Sequence, residues 1–247
     1  MKNLIKSFIQ RFGYAIVSKY QLERADTHVH FRKILEKINV KTIFDVGAAT
    51  GEFCFRFKQL FPDSIIHAFE PQSDFFSILD QQSNESLIVN NIVLSDNSGE
   101  LDFFITSGKE SSSLIKPNKT GTEWDHYLGI SHKSKVVSDT IDQYCNEKSI
   151  ERINILKLDV QGAELQVLRG AEMLLRKGKI DLIYSEVLFM QFYEGQPLYH
   201  DIAIYLNKYN YKLYNLYNCV FTRNSVLTWA DAIFVSDRLY AESVKTN

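Results

Sequence analysis

The sequence predicts an α/β fold in which a mostly parallel sheet is flanked by helices. Short apolar strands alternate with helical segments along most of the 247 residues, which is the pattern of parallel strands joined by crossover helices. Several of these strands end in an acidic side chain and a turn. The chain is 45% hydrophobic and 13% aromatic, which is enough to fill a sizeable core. We therefore expect the functional groups to gather at the carboxyl ends of the strands.

The charge balance and the cysteine content argue against several kinds of site. The formal net charge is -2, which gives no electrostatic footprint for nucleic acid, and no such partner is expected. Cys54, Cys145 and Cys219 are odd in number and far apart. They therefore argue against both a disulfide framework and a zinc site, and favour a cytoplasmic location.

Residues 1–39 are predicted to form a helical extension to a domain of residues 40–240. A first helix would gather its apolar side chains on one face, namely Leu4, Ile5, Phe8, Ile9, Phe12 and Ile16. It would serve as a lid, as the surface of a homo-oligomer, or as a weak basic contact with the inner membrane face. A second helix is predicted near residues 28–38 and would cover the ligand side. No signal peptide or membrane span is expected.

The first strong motif is a strand, a small-residue turn and a helix. Residues 42–46 form an apolar strand, and Gly47 and Gly51 then bracket a loop that lets a ligand touch the backbone. The loop contains three small residues, Ala48, Ala49 and Thr50. The helix predicted over residues 52–60 would point its N-terminal amides at the ligand.

Asp45, just before the first glycine, indicates what the ligand is. A carboxylate there would repel a pyrophosphate but suits a cation, and the glycine spacing differs from that of dinucleotide binders. The motif therefore favours S-adenosylmethionine (SAM), which carries a sulfonium and an amino group. Its alternative is a plain tight connection between strand and helix.

The next two strands supply further candidates for binding this cofactor. Glu70, followed by Pro71, ends the second strand about twenty residues past the loop, where an acid can accept both hydroxyls of a ribose. Asn91 ends the third strand, and its amide can both donate to and accept from an adenine edge. A solvated glutamate and a turn-forming asparagine are the alternatives.

After the third strand the alternation of strand and helix is interrupted. Residues 92–105 predict a β-hairpin with a turn at residues 96–99. Residues 106–135 show no sustained periodicity, and a connection of that length is usually functional, so we expect a substrate lid. His126 and His132 lie in it and are candidates to reach the acceptor.

The second strong motif follows the strand at residues 153–158. Asp159 should face the same cavity as the glycine turn, because the carboxyl ends of parallel strands converge. Glu164 falls in the first turn of the next helix, where it has either a catalytic or a capping role. Glu186 ends the following strand, and two antiparallel strands, at residues 211–216 and 228–235, close the sheet.

Four of these motifs, in this order, resemble the FkbM family of SAM-dependent methyltransferases over residues 40–235. They are Asp45-Val-Gly-Ala-Ala-Thr-Gly51, Phe69-Glu-Pro71, Leu94-Ser-Asp-Asn-Ser-Gly99 and Leu156-Lys-Leu-Asp-Val-Gln-Gly-Ala-Glu-Leu-Gln-Val-Leu-Arg-Gly-Ala171. The family has an asparagine where this chain has Ala49, and often an acid where it has Gln161.

The resemblance implies a Rossmann-like class I methyltransferase fold, with a seven-stranded, mostly parallel sheet and an antiparallel closing strand. It implies methyl transfer from SAM, which becomes S-adenosylhomocysteine, to a hydroxyl of a cell-surface glycan sugar or a secondary metabolite. Cofactor contacts are expected from residues 47–51 and from Asp45, Glu70, Pro71, Asn91 and Asp159. No metal is expected, although Asp159 could bind a divalent cation.

Proton removal from the acceptor hydroxyl needs a carboxylate or an imidazole within hydrogen-bond reach. The candidates are Asp159 and Glu186, then Glu164, with the lid histidines as further possibilities. Two alternatives stay open at this point. One is a nicotinamide-dependent oxidoreductase, and the other is a non-catalytic SAM-binding module, which would not need acids at both Asp159 and Glu186.

Overall fold

The computed structural model describes residues 26–244, and the chain divides into two compact units between Lys37 and Ile38. The described part of the first unit contains helix α1 (Thr27–Ile34), in which Phe31 is buried. The amphipathic helix predicted over residues 4–16 lies outside the described residues. Within residues 26–244, no helix combines the length and apolar character that crossing a membrane requires.

The second unit alternates strands and helices, as predicted. Its strands are β1 (Thr42–Val46), β2 (Ile65–Phe69), β3 (Leu87–Asn90), β4 (Val93–Leu94), β5 (Gly99–Thr106), β6 (Ile130–Asp139), β7 (Ile153–Leu158), β8 (Ile180–Leu188), β9 (Tyr211–Phe221) and β10 (Leu227–Ser236). Its helices are α2 (Glu52–Leu60), α3 (Ser73–Asp80), α4 (Ile141–Glu147), α5 (Glu164–Arg169), α6 (Glu172–Arg176), α7 (Tyr199–Asn207) and α8 (Asp237–Val244), with two 3-10 turns at Lys109–Ser111 and Glu123–His126.

The main sheet has seven strands in the order β3-β2-β1-β7-β8-β10-β9. Neighbouring strands are parallel from β3 to β8, whereas β10 runs antiparallel to both of its neighbours. The predicted class I methyltransferase sheet is therefore confirmed. The strand order reverses between β1 and β7, and in open α/β sheets the ligand crevice lies at the carboxyl side of such a point.

The central strands are buried because helices cover both faces of the sheet. Every residue of β7 is buried, and the apolar side chains of β1, β7 and β8 form one core cluster with those of α4, α5, α6 and α7. Phe44 of β1 illustrates the packing, because its ring contacts Phe69 at 5.2 Å and the edge of Tyr144 at 5.7 Å between centroids. This rigid core fixes the positions of the strand ends.

A polar cluster ties the amino ends of three central strands together. Asn154 of β7 accepts hydrogen bonds from the backbone of Lys41 and Thr42, at 2.8 and 3.0 Å, and donates to Asp181 of β8 at 2.8 Å. Asp181 also accepts from Arg152 at 2.6 Å and from Arg238 at 3.0 Å. The buried carboxylate is therefore fully compensated by donors.

The predicted β-hairpin is wrong in its pairing. Strands β4 and β5 do not pair with each other, because β6 lies between them in a three-stranded sheet, parallel to β4 and antiparallel to β5. Most of β6 is exposed, so its sequence lacks the apolar alternation that would have revealed a strand of this length. The expected lid is consequently shorter and occupies the connection between β5 and β6.

Candidate active site

The glycine turn after β1 is shaped by the neighbouring strand. Gly47 has φ +75°, and a Cβ added there would lie 1.9 Å from the carbonyl oxygen of Asp159. A Cβ on Gly51, which has φ +87°, would lie 2.4 Å from Leu79. Both positions require glycine for reasons of conformation and space. Ala49 between them also adopts a left-handed conformation, with φ 45°.

The amides of this turn bond within the protein. Gly47 and Ala48 both donate to the carbonyl of Phe69, at 3.0 and 3.1 Å, and Gly51 donates to the carbonyl of Ala48 at 2.8 Å. Ala49 donates to Glu70 at 2.8 Å. These amides are therefore already hydrogen-bonded within the protein, and a ligand would contact the surface of the turn instead.

Glu70 stands at the floor of the crevice. It is 3% exposed, and its two carboxylate oxygens accept from the backbone of Ala49 and Gln72 at 2.8 and 2.9 Å. Burial raises the pKa of Glu70 to about 7, although both amides act in the opposite direction. Because each carboxylate oxygen can accept more than one hydrogen bond, Glu70 can also receive ribose hydroxyls.

Asp45 does not reach the crevice. It is fully buried, accepts from the thiol of Cys54 at 3.2 Å, and has Lys157 Nζ 3.0 Å from its Oδ1. Lys157 of β7 also donates to the carbonyl of Gly47 at 2.7 Å and lines the cavity instead. Burial alone would lower the pKa of Lys157, but Asp45 and Asp159 raise it overall. The Asp45 carboxylate, which was predicted to face the sulfonium of SAM, is thus covered by the ammonium group of Lys157.

A cavity of about 260 Å³ lies over the turn. It is lined by Gly47, Ala48, Ala49 and Thr50, by Glu70 and Pro71, and by Asp159. Asn91 is exposed and is not among its lining residues, because its amide donates to the carbonyls of Glu70 and Pro71, at 2.9 and 3.1 Å. The structure therefore brings most of the predicted cofactor residues together, but neither Asp45, Gly51 nor Asn91.

The composition of this cavity fits SAM. Apolar side chains of Phe69, Phe75, Ile92 and Leu94 line it and suit a flat adenine ring. Glu70 supplies acceptors for a ribose. Phe75 and Ile92 were not predicted as site residues, because apolar side chains in this pattern look like any helix or strand face.

Asp159 and Glu186 meet at one edge of this cavity through Gln161. The Gln161 amide nitrogen lies 2.9 Å from Asp159 Oδ1 and 3.1 Å from Glu186 Oε2. Burial is the main cause that raises the pKa of Glu186 well above its ordinary value, and the carboxylates of Asp159, Glu164 and Asp231 add to it. Glu186 lies inside β8 rather than at its end, since the strand continues to Leu188.

Glu164 is placed beneath the loop rather than in a cavity. Its side chain is 1% exposed and accepts from the backbone of Val160 and Gly162 at 3.1 and 3.2 Å. Burial raises the pKa of Glu164 to about 7. This geometry supports a role in holding the loop, and not the contact with the acceptor that a catalytic role requires.

A second cavity, of about 580 Å³, opens beside the first and shares Phe75, Glu110 and Gln161 with it. Besides the shared Phe75, five aromatic rings line it, and so does Glu186. The rings are those of Trp124, Tyr127, Phe192, Tyr193 and Trp229. Trp124 and Tyr127 lie in the predicted lid, whereas the other three come from distant parts of the sequence that no local pattern connects.

The lid histidines do not reach either cavity. His126 ends the second 3-10 turn and packs against Tyr127, with 3.8 Å between ring centroids. His132 is an exposed residue of β6. Neither is among the lining residues of the two cavities, so the acids remain the candidates for proton removal.

Comparison with known proteins agrees with this architecture. Residues 45–213 match the family model described as the methyltransferase FkbM domain. The 2-O-methyltransferase NoeI of Sinorhizobium fredii (strain NBRC 101917 / NGR234) is 29% identical over 178 residues, covering 68% of this chain and 72% of that protein. Methyltransferase sdnD of Sordaria araneosa is 26% identical over 194 residues, covering 66% and 73%.

Among solved structures, magnesium protoporphyrin IX methyltransferase (ChlM) from Synechocystis PCC 6803 with bound SAM aligns with 95% of this chain and 96% of its own. The TM-score is 0.47 and the sequence identity is 9%.

Proposed function

Because the chain belongs to the FkbM methyltransferase family, we propose that it methylates a hydroxyl oxygen of a sugar, in a cell-surface glycan or a secondary metabolite. The enzyme is a methyltransferase and its methyl donor is SAM. This membership decides against the nicotinamide-dependent oxidoreductase and the non-catalytic module.

The observation that carries the proposal is the aromatic cavity beside the cofactor cavity. Trp229 packs edge-on against Trp124, with centroids 4.6 Å apart, and against Phe192 at 5.7 Å. Sugars present apolar C–H faces that pack on such rings, while a few polar groups orient their hydroxyls. Glu186 and Gln161 supply polar groups at the boundary with the cofactor cavity.

The residues at this boundary can perform the protein's part of methyl transfer. When bound, SAM would supply a methyl group on a positively charged sulfur, which is a good leaving group because it becomes a neutral thioether. The aromatic walls would hold the acceptor beside the cofactor cavity, with its hydroxyl toward the boundary that the two cavities share. Glu186 accepts the hydroxyl proton on its carboxylate, and burial, which raises its pKa, increases its affinity for that proton.

The position methylated is proposed from one relative. The protein from Sinorhizobium fredii is named a 2-O-methyltransferase, which is the reason to test 2-hydroxyls first. At 29% identity this likeness suggests the reaction and leaves the acceptor itself to experiment.

The test is transfer of a tritiated methyl group from SAM to a library of oligosaccharides, with the methylated position read by mass spectrometry. Wild-type protein should label at least one sugar hydroxyl, and Glu186→Gln should not. Glu172→Gln is the matched control, because Glu172 lies on α6 and pairs with Arg176 at 2.5 Å, away from both cavities. Labelling of acceptors that contain no sugar, with none of the oligosaccharides labelled, would contradict the proposal.

A further inference from the structure

Gln161 lies where the two cavities meet and contacts a carboxylate of each. Its Nε2 atom is 2.9 Å from Asp159, which lines the cofactor cavity, and 3.1 Å from Glu186, which lines the aromatic cavity. An ionised carboxylate only accepts hydrogen bonds, and a primary amide has two hydrogens to give. One planar group can therefore fix the separation and orientation of both acids.

Gln161 is itself held from the acceptor side. The hydroxyl of the buried Tyr193 lies 2.9 Å from Gln161 Oε1 and also 2.9 Å from the carbonyl oxygen of Ser111, so its single hydrogen serves one of them at a time. The hydroxyl of Ser113 donates to the carbonyl of Gln161 at 2.8 Å. The residue adopts φ 56°, a left-handed conformation that is unfavourable for a glutamine. Contacts with Tyr193 and Ser113 therefore hold both the side chain and the backbone of Gln161 in one position.

The surroundings of Glu186 explain why such a donor matters. Four charged groups face it from neighbouring elements: Asp159 after β7, Glu164 on α5, Asp231 on β10 and Lys157 on β7. Three of them are acids, and with burial they oppose ionisation of Glu186. A hydrogen bond donated to the carboxylate acts in the opposite sense, because it favours the charged form.

We propose that Gln161 is a positioning residue for methyl transfer, which holds Glu186 in the orientation and the charge state that proton removal requires. The inference rests on the proposed function, since it takes Glu186 as the general base. It adds a residue that acts through another group and does not itself receive the proton, because an amide has no basic site.

The first test needs no acceptor. The titration of Glu186 is followed by NMR of protein carrying ¹³C-labelled glutamate carboxyls, with Glu186→Gln used to assign the signal. In Gln161→Met, which keeps the length of the side chain but has no donor, the pKa of Glu186 should rise by about one unit. In Gln161→Glu, which adds a fourth acid to those facing Glu186, it should rise further. An unchanged titration in both variants overturns the proposal.

Gln143→Met is the matched control. Gln143 also joins a hydroxyl and a carboxylate through its amide, with Ser98 at 2.9 Å and Glu147 at 3.1 Å, but it is an exposed residue of α4. The titration of Glu186 and the affinity for SAM should both be unchanged in this variant. A shift there equal to that of Gln161→Met would show a general effect of the substitution and contradict a specific role for Gln161.

The second test uses any acceptor that the wild type methylates. Gln161→Met should lower kcat about tenfold and move the acid limb of its pH profile upward by about one unit, with KM for SAM within about twofold of the wild type. Loss of SAM binding instead would mean that Gln161 only supports the fold. If the wild type methylates no sugar, the proposed function fails, whereas a wild-type profile in Gln161→Met together with an inactive Glu186→Gln rejects this inference alone.

Discussion

Strand β8 carries two acids, one near each end, and the two have opposite surroundings. Asp181, at the amino end, is 1% exposed and accepts from Asn154, Arg152 and Arg238 at 2.6–3.0 Å. Glu186, near the carboxyl end, has Gln161 as a hydrogen-bond donor, while burial and then three other acids raise its pKa. One strand thus holds a carboxylate that is surrounded by hydrogen-bond donors and another whose ionisation is opposed by neighbouring acids.

From this difference we expect Asp181 to contribute to stability and Glu186 to contribute to the chemistry. A buried carboxylate surrounded by donors keeps its charge and ties strands together, whereas one opposed by like charges has a proton affinity closer to what a general base needs. Repulsion of this kind lowers stability and is retained where function requires it. We therefore expect substitutions at the two ends of β8 to have opposite effects.

The largest effect is expected for Glu186→Gln. Methyl transfer should fall by about 10²–10⁴-fold, because an amide keeps the shape but cannot take a proton. The free energy of unfolding should stay the same or increase, since one member of a group of like charges is removed. Activity is measured with an acceptor that the wild type methylates, and stability by urea unfolding. Full activity across pH would transfer the role of base to Asp159.

The next effect concerns the pH dependence of stability. The pKa of Glu164 is raised from 4.5 to about 7, so its contribution to stability is complete below pH 4.5 and is lost as the pH rises through about 7. Glu164→Gln removes this titration. The decline in the free energy of unfolding between about pH 5 and about pH 8 should therefore shrink by about 3 kcal/mol. An equal decline in both proteins would contradict the shift.

The opposite end of β8 should respond in stability alone. Asp181→Asn should lower the free energy of unfolding by about 2 kcal/mol, below the usual cost for a buried ion pair because Arg152 and Arg238 are 38% and 57% exposed. Asp102→Asn is the control, since Asp102 pairs with two lysines but is 43% exposed. Its cost should be clearly smaller, because solvent screens an exposed ion pair. A lower kcat in Asp181→Asn, with SAM affinity unchanged, would contradict the expectation that Asp181 affects stability alone.

Replacing Glu70 should affect cofactor binding by a free energy similar to that expected for Asp181→Asn in stability. Glu70→Ala should weaken SAM binding by about 1–3 kcal/mol, measured by calorimetry, because ribose hydroxyls lose a charged acceptor. Since the pKa of Glu70 is raised to about 7, wild-type affinity should decrease as the pH falls below about 7. The variant should lack this dependence. Equal affinities at all pH values would place the ribose elsewhere.

The smallest effect is expected in the aromatic cavity. Trp229→Leu should raise KM for the acceptor about tenfold, because a ring that packs on the sugar is lost, and leave the affinity for SAM unchanged. Phe221→Leu is the control, because Phe221 is 51% exposed on β9. A change in SAM affinity in Trp229→Leu would show that the two cavities are coupled through their shared residues.

Sequence patterns predicted the sheet, and they predicted several of the residues that meet at one cavity. The alternation of strands and helices predicted the order of elements, and Glu70, Asp159 and the turn at Gly47 meet at one cavity because parallel strand ends converge. The same reasoning failed for Asp45, because no sequence pattern reveals that Lys157 of the apolar strand β7 covers its carboxylate.

The aromatic cavity could not be predicted from local sequence patterns. Trp124, Phe192 and Trp229 come from a connection, a loop after β8 and an antiparallel strand, and only the folded chain brings them together. Residues 130–135 of strand β6 were assigned to the preceding connection for a related reason, because an exposed strand has no apolar face to mark it. Contacts between residues far apart in sequence lie beyond propensity and periodicity.

Gly47 has a consequence for interpreting relatives of this chain. The space for a side chain is taken by the carbonyl of Asp159, a backbone atom that belongs to the junction of two strands. A homologue that had lost catalysis but kept this sheet would still need glycine there, so the turn alone cannot distinguish an active enzyme from a degenerate copy. Under the proposed mechanism, the positions that make the distinction are Glu186 and Gln161.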